Sequence, residues 1–136
     1  SFTDDAVELL RELVRIPSTS CNEGPVADRI LAAAVAAGWD EARRDRLGNV
    51  ILRMGNGPRV LAFDAHIDTV DVSDPTAFPY PPYEAVLKDG IIWGRGAADQ
   101  KGGMTAIIMA GRILKAIGVP EDVTVLGKAQ AVVRLA

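Results

Sequence analysis

The sequence holds one histidine, His66, where the apolar run Val60-Leu61-Ala62-Phe63 gives way to Asp64-Ala65-His66-Ile67-Asp68-Thr69-Val70. Alternate side chains of a strand share a face, so Asp64, His66 and Asp68 are expected on one side. An imidazole that ligates a metal through one nitrogen usually donates its other N–H to a carboxylate, which fixes the tautomer and raises basicity. Asp68 suits that supporting role. Taken alone, such a tripeptide is more often a strand-end histidine with an accidental acidic neighbour.

The second feature is Gly94-Arg95-Gly96-Ala97-Ala98-Asp99-Gln100-Lys101-Gly102-Gly103. A dinucleotide-binding loop would need a glycine where Asp99 stands, and an acid about 20 residues further on. Lys115 and Ala116 occupy that distance. A carboxylate between glycines that permit tight turns suits a metal ligand better, although a plain glycine-rich turn has the same letters. Arg95 is read as a packed turn residue with a local acid partner, rather than as a fork for a substrate carboxylate.

The elements around these residues follow from periodicity. Thr3 reads as an N-cap, with Asp4 and Asp5 in the first helical turn. Ala6, Leu9, Leu10, Leu13 and Val14 recur at helical spacing up to Pro17. A second helix runs from Pro25 to the stop at Gly38. Strands are expected at 49–54 and 59–65, the latter of buried type, and at 123–126. A hairpin should turn at Lys88-Asp89-Gly90. A buried helix should span 102–117 before Gly118 and Pro120. Both chemical features then lie at strand ends, where open α/β sheets place ligands. The expected fold is α/β, a mixed, largely parallel central sheet flanked by helices, with residues 1–136 forming a single domain.

Apolar residues make up 49% and charged residues 24%, with fifteen basic and eighteen acidic side chains interspersed. No basic face emerges, which argues against a nucleic-acid partner. No apolar run is long enough to span a bilayer. Cys21 is the single cysteine, so a disulfide within the chain is excluded and a reducing, cytoplasmic setting is expected. A Cys21 nucleophile would need a histidine base, and His66 is better used elsewhere. The Pro79-Tyr80-Pro81-Pro82-Tyr83 stretch reads as a loop stiffened by proline rather than as a polyproline ligand. Trp39 and Trp93 read as packing residues.

The two motifs and their separation resemble the M20 zinc metallopeptidases, the group that includes acetylornithine deacetylase, succinyl-diaminopimelate desuccinylase and carboxypeptidase G2. The wording of Asp64-Ala65-His66-Ile67-Asp68-Thr69-Val70 is closest to the deacetylase/desuccinylase-like hydrolases. The resemblance implies that His66 and Asp99 are metal ligands, Asp99 bridging two Zn²⁺ (or Co²⁺) ions. It also implies that Asp68 orients His66 and that the Asp99–Gln100 peptide is cis. The implied reaction is hydrolysis of an amide or peptide bond beside a carboxylate in a small N-acyl amino acid or peptide. Zinc polarises the carbonyl and a glutamate accepts a proton from water.

The resemblance also marks what is missing. The family's catalytic glutamate and the zinc-binding glutamate beside it belong on the strand after the last helix. Beyond Asp99 the only carboxylates are Glu121 and Asp122, both before that strand. Aligning Gln130 with the glutamine that precedes the pair puts Ala131 and Val132 in those positions. A second histidine, a later acid and a lid or dimerisation domain are also lacking, so the chain alone is expected to be catalytically incompetent. Two readings follow: part of a metallohydrolase, or a non-catalytic module on the same scaffold. In either, an unpaired sheet edge invites a homo-oligomeric partner, and 129–136 is expected to pair within the chain or with another copy.

Overall fold

The computed structural model describes residues 1–132. Helix α1 (Phe2–Arg15) begins at Ser1, not at Thr3. The Ser1 hydroxyl accepts from the Asp4 amide at 3.3 Å and the Asp4 side chain reaches back, forming a capping box. The helix stops one residue before Ile16-Pro17, because a residue preceding proline is pushed out of helical geometry. Helix α2 (Gly24–Ala36) carries Pro25 in its first turn and is followed, past its cap Ala37, by Gly38, whose φ is +84°.

The main sheet has the order β1-β2-β6-β3. Strands β1 (Glu41–Arg44) and β2 (Val50–Gly55) pair antiparallel, and β2 pairs antiparallel with β6 (Val123–Gln130). Strand β3 (Arg59–His66) lies on the far side of β6 and parallel to it. The mixed α/β class is as expected, but parallel pairing is confined to β3–β6. The short hairpin of β4 (Val86–Lys88) and β5 (Ile91–Trp93) forms a separate two-stranded sheet. It turns through Asp89 and Gly90, both at positive φ, the backbone that a two-residue hairpin requires. Helix α3 (Gly102–Ile117) has the expected bounds.

Strands β1 and the second half of β6 go beyond the sequence reading. The polar Glu41-Ala42-Arg43-Arg44 stretch carries no apolar alternation, and Lys128 and Gln130 make the end of β6 look like a loop. The larger correction concerns β3. Its apolar run predicts a buried strand, yet residues 59–64 are all exposed, with Leu61 54% and Phe63 51% accessible. An apolar run does not disclose its neighbours, and the sheet order leaves β3 on an edge. Helix α3 is likewise buried on one face only: Met104, Ile108 and Met109 pack inward, whereas Ile113 and Ile117 face outward.

The core lies between the sheet and the helices. Leu13 from α1, Ile30 from α2, Leu52 and Met54 from β2, and Met104 and Ile108 from α3 are almost wholly buried there. Trp39 packs on α3 and donates from its indole N–H to the Ile108 carbonyl at 3.3 Å. Gly111 makes this possible, since a Cβ there would come within 2.2 Å of the ring. The Pro-rich loop packs on the hairpin, with the Tyr80 and Trp93 rings 5.6 Å apart. No helix among the described residues is long and apolar enough to cross a membrane.

Candidate metal centre

His66 is the last residue of β3 and Asp99 lies in a single irregular helical turn, Ala97–Lys101, that leads into α3. Gly96 opens the turn at φ +77°, a left-handed conformation that glycine adopts without steric cost. The backbone departs from helical geometry at Asp99 and Gln100, and the peptide joining them is cis.

The two side chains meet. His66 Nε2 lies 2.9 Å from Asp99 Oδ1. On the other side of the ring, Nδ1 lies 3.0 Å from the Asp68 carbonyl oxygen and 3.2 Å from Asp68 Oδ1. A carbonyl can only accept, so Nδ1 carries a proton and Nε2 is the nitrogen turned toward Asp99. The hydrogen bond to Asp99 holds the imidazole pKa above its ordinary value; partial burial opposes this, and Asp68 adds to the rise. Nε2 and Asp99 Oδ1 are the two atoms that a cation held at this point would meet. One imidazole nitrogen backed by a carboxylate, together with one exposed carboxylate, is a donor set that suits a zinc-class ion.

Asp64 does not join them. It is exposed, with Lys128 Nζ at 3.5 Å. Among the described residues no group of three or more His, Cys, Asp or Glu side chains is arranged around one ion. The cavity beside the pair has a volume of about 300 Å³ and is walled by His66, Asp68, Thr69, Arg95 and Asp99 among others.

Several supporting contacts have no sequence signal. Ser20 donates to Asp68 Oδ2 at 2.6 Å, and Gln100 Oε1 accepts from the His66 amide at 3.0 Å. Ser18 and Thr69 tie the two segments together, the Thr69 amide donating to the Ser18 carbonyl at 2.8 Å. Lys101 is fully buried, and its ammonium donates to the Ile16 carbonyl at 2.7 Å; burial pushes its pKa down to about 8. This bond links the irregular turn to the end of α1. Each contact spans tens of residues, beyond the reach of local pattern.

Arg95 requires a second correction. No acid partner accompanies it among the described residues. Its guanidinium lies over the Phe78 ring at 4.9 Å, and its Nε is buried without an acceptor. Cys21 is exposed in a turn at φ +70°. At the end of β6, Gln130 stands beside His66 in register, so the chain leaves the sheet at the same end as the candidate site. Ala131 and Val132 follow without carboxylates; their amides donate to Asn49 Oδ1 at 3.0 Å and Glu23 Oε1 at 2.9 Å. The rest of the 129–136 segment expected to pair, residues 133–136, lies outside the described residues.

Residues 62–130 match the model of Peptidase family M20/M25/M40. The chain is 42% identical over 125 residues to the Escherichia coli K12 protein YgeY, an alignment covering 92% of this chain and 31% of that protein. It is 39% identical over 110 residues to a succinyl-diaminopimelate desuccinylase of Cereibacter sphaeroides, covering 78% and 29%. Among solved structures, the M20 family metallo-carboxypeptidase Sso-CP2 from Sulfolobus solfataricus superposes with a TM-score of 0.83 at 22% identity, covering 94% of this chain and 31% of that one. YXEP of Bacillus subtilis, described as a dinuclear metal binding peptidase, superposes at 0.69 and 20% identity, covering 96% and 35%. These last two likenesses show a shared fold. The chain spans less than a third of the length of the curated relatives named here.

Proposed function

Because the chain belongs to the peptidase family M20/M25/M40, we propose that it supplies the His66–Asp99 portion of the metal centre of a hydrolase of peptide or amide bonds. The observation that supports this reading is the imidazole clamped between two carboxylates, Nδ1 on Asp68 and Nε2 facing Asp99. His66 and Asp99 would hold zinc or cobalt. When bound, such an ion supplies Lewis-acid polarisation of the scissile carbonyl and lowers the pKa of water. Asp68 keeps the ring in the tautomer that presents Nε2. Ser20 and Gln100 hold Asp68 and the His66 backbone in place.

The substrate class is a small N-acyl amino acid or peptide cleaved next to a carboxylate, in keeping with the desuccinylase and carboxypeptidase names of its relatives. The free, exposed Cys21 accords with a reducing cytoplasmic setting. Among the described residues the cavity offers no carboxylate beyond Asp68 and Asp99, and a catalytic zinc typically takes three protein ligands plus water. The 136-residue chain by itself should therefore bind metal weakly and turn over nothing.

The test is a cobalt titration followed by visible absorption. The expected result is a ligand-field spectrum lost in both His66→Ala and Asp99→Ala, with no hydrolysis of N-acetyl amino acids. A spectrum indifferent to both substitutions would defeat the metal assignment. Metal-dependent turnover abolished by Asp99→Ala would defeat the inactivity.

A second reading, self-association, is favoured by the exposed edge of β3. Leu61 and Phe63 continue into an apolar groove of about 410 Å³ against Ile107, Leu114 and Val125. The occupant would be a second copy of the chain, paired edge to edge. A light-scattering mass of one chain, unchanged by Phe63→Asp, would rule it out.

A further inference from the structure

The five residues that follow α1, Ile16-Pro17-Ser18-Thr19-Ser20, reach both halves of the candidate site. On the Asp99 side, the Ile16 carbonyl accepts from Lys101 Nζ at 2.7 Å. On the His66 side, the buried Ser18 hydroxyl donates to the Ile67 carbonyl at 2.8 Å. The Thr69 amide donates to the Ser18 carbonyl at 2.8 Å, Thr19 pairs with Thr69 in a parallel bridge, and Ser20 bonds Asp68 at 2.6 Å. Every residue of the five except the proline is thus engaged. Pro17 fixes its own φ and keeps Ile16 extended, at φ −95° and ψ 107°, so the segment has little freedom left.

Lys101 is the last residue of the irregular turn and is fully buried. Its amide donates to the Gly96 carbonyl at 3.0 Å, and its carbonyl accepts from the Thr105 hydroxyl at 2.9 Å. Its stem passes under Gly96, where a Cβ would come within 3.5 Å of it. Burying an ammonium costs desolvation that an apolar side chain of similar length would avoid. Here the charge meets a carbonyl at the C-terminal, negative end of α1. Packing alone does not require a lysine at this point; a bond of fixed length from the Asp99 turn to residue 16 does.

We propose that residues 16–20 form a bracket that sets the separation of His66 and Asp99, with Lys101 and Ser18 as positioning residues at its two ends. Gln100 joins the two ligands directly, whereas the bracket joins the elements that carry them. This deepens the hydrolase reading and rests on it only for the ion that the pair would hold.

The experiment uses the 136-residue chain, with the His66 ring nitrogens followed by NMR in the metal-free state and cobalt affinity measured by competition. Ser18 bonds neither His66 nor Asp99 among the described residues. Ser18→Ala should nevertheless shift the Nε2 signal, which reports the contact with Asp99, and weaken cobalt binding severalfold. Lys101→Met should shift the same signal and weaken cobalt binding about tenfold. The double variant should lose less than the product of the two, because both loosen one element. Ile30→Val, a core substitution outside the walls of the cavity, should leave both readouts at the parent's values. An unmoved Nε2 signal, cobalt losses no larger than that of Ile30→Val, or single effects that simply multiply would each overturn the bracket. If Lys101→Met does not fold, the Ser18→Ala signal decides. A parent chain that takes up no cobalt defeats the metal reading alone, since the ring signals still judge the bracket.

Discussion

Gln100 Oε1 accepts the backbone N–H of His66 at 3.0 Å, so the residue that follows one candidate ligand fixes the backbone of the other. The two halves of the candidate site are therefore coupled through main chain as well as through the His66–Asp99 contact. Gln100→Ala leaves the His66 amide without an acceptor. The expected cost is about 1–2 kcal/mol of stability and roughly tenfold in cobalt affinity. Urea denaturation and calorimetric titration measure the two effects separately; an unchanged cobalt affinity would show that the coupling is only structural.

Asp68 acts on the ring from behind. Asp68→Ala should lower metal affinity by about 10–100-fold, the range for removing a group that orients a ligating histidine. Ser20→Ala, which removes the 2.6 Å bond to Asp68 Oδ2, should give a smaller loss in the same direction. Asp64→Ala, on the exposed part of β3, should give none. The three variants are ranked by a single cobalt competition assay.

Asp40 provides a pH-dependent contribution away from the site. The Gly55 amide at 2.9 Å lowers its carboxyl pKa most, and the Lys115 ammonium, also at 2.9 Å, lowers it further. A folded-state pKa below the unfolded one stabilises the protein above the ordinary carboxylate range, and that stability is lost as pH falls through the lowered value. Asp40→Asn should cost about 0.5–1 kcal/mol at pH 7, a modest figure because the pair is partly exposed and screened. The difference from the parent should vanish near pH 2 in denaturation midpoints. A gap that persists in acid would mean that packing, not charge, is responsible.

Gly111 faces the Trp39 ring too closely for any side chain. Gly111→Val should destabilise by about 1–3 kcal/mol through overpacking. It should also shift Trp39 fluorescence as the indole leaves the Ile108 carbonyl. A melting temperature equal to the parent's would mean that α3 can slide on the ring at little cost.

Local features of the fold were legible because local chemistry dictates them. Gly102 through Ile117 has helical periodicity with glycine at both ends, and Asp89-Gly90 marks its own turn. His66 and Asp68 stand out where an apolar run stops, and Asp99 joined them through a glycine-rich turn and the resemblance of the two motifs to a known family. Properties of the assembled sheet were not. The exposure of Val60, Leu61 and Phe63 depends on β6 entering between β2 and β3, which no window around residue 60 reports. Ser20 and Gln100 are ordinary polar residues until the fold brings them to Asp68 and His66. Arg95 was misjudged for the same reason, since its missing acid partner is a fact about space and not about neighbours in the chain.

The placement of β3 bears on the order of folding. Among the described residues β3 has β6 as its one partner in the main sheet, and a parallel pair cannot be closed by a tight turn. Everything from Ile67 through Asp122 must be made before His66 has a neighbouring strand. Pairing across so long a stretch is slow, because closure entropy is spent before any contact rewards it. During synthesis the histidine would wait for Gln130 to leave the ribosome, and the two halves of the candidate site would come together late.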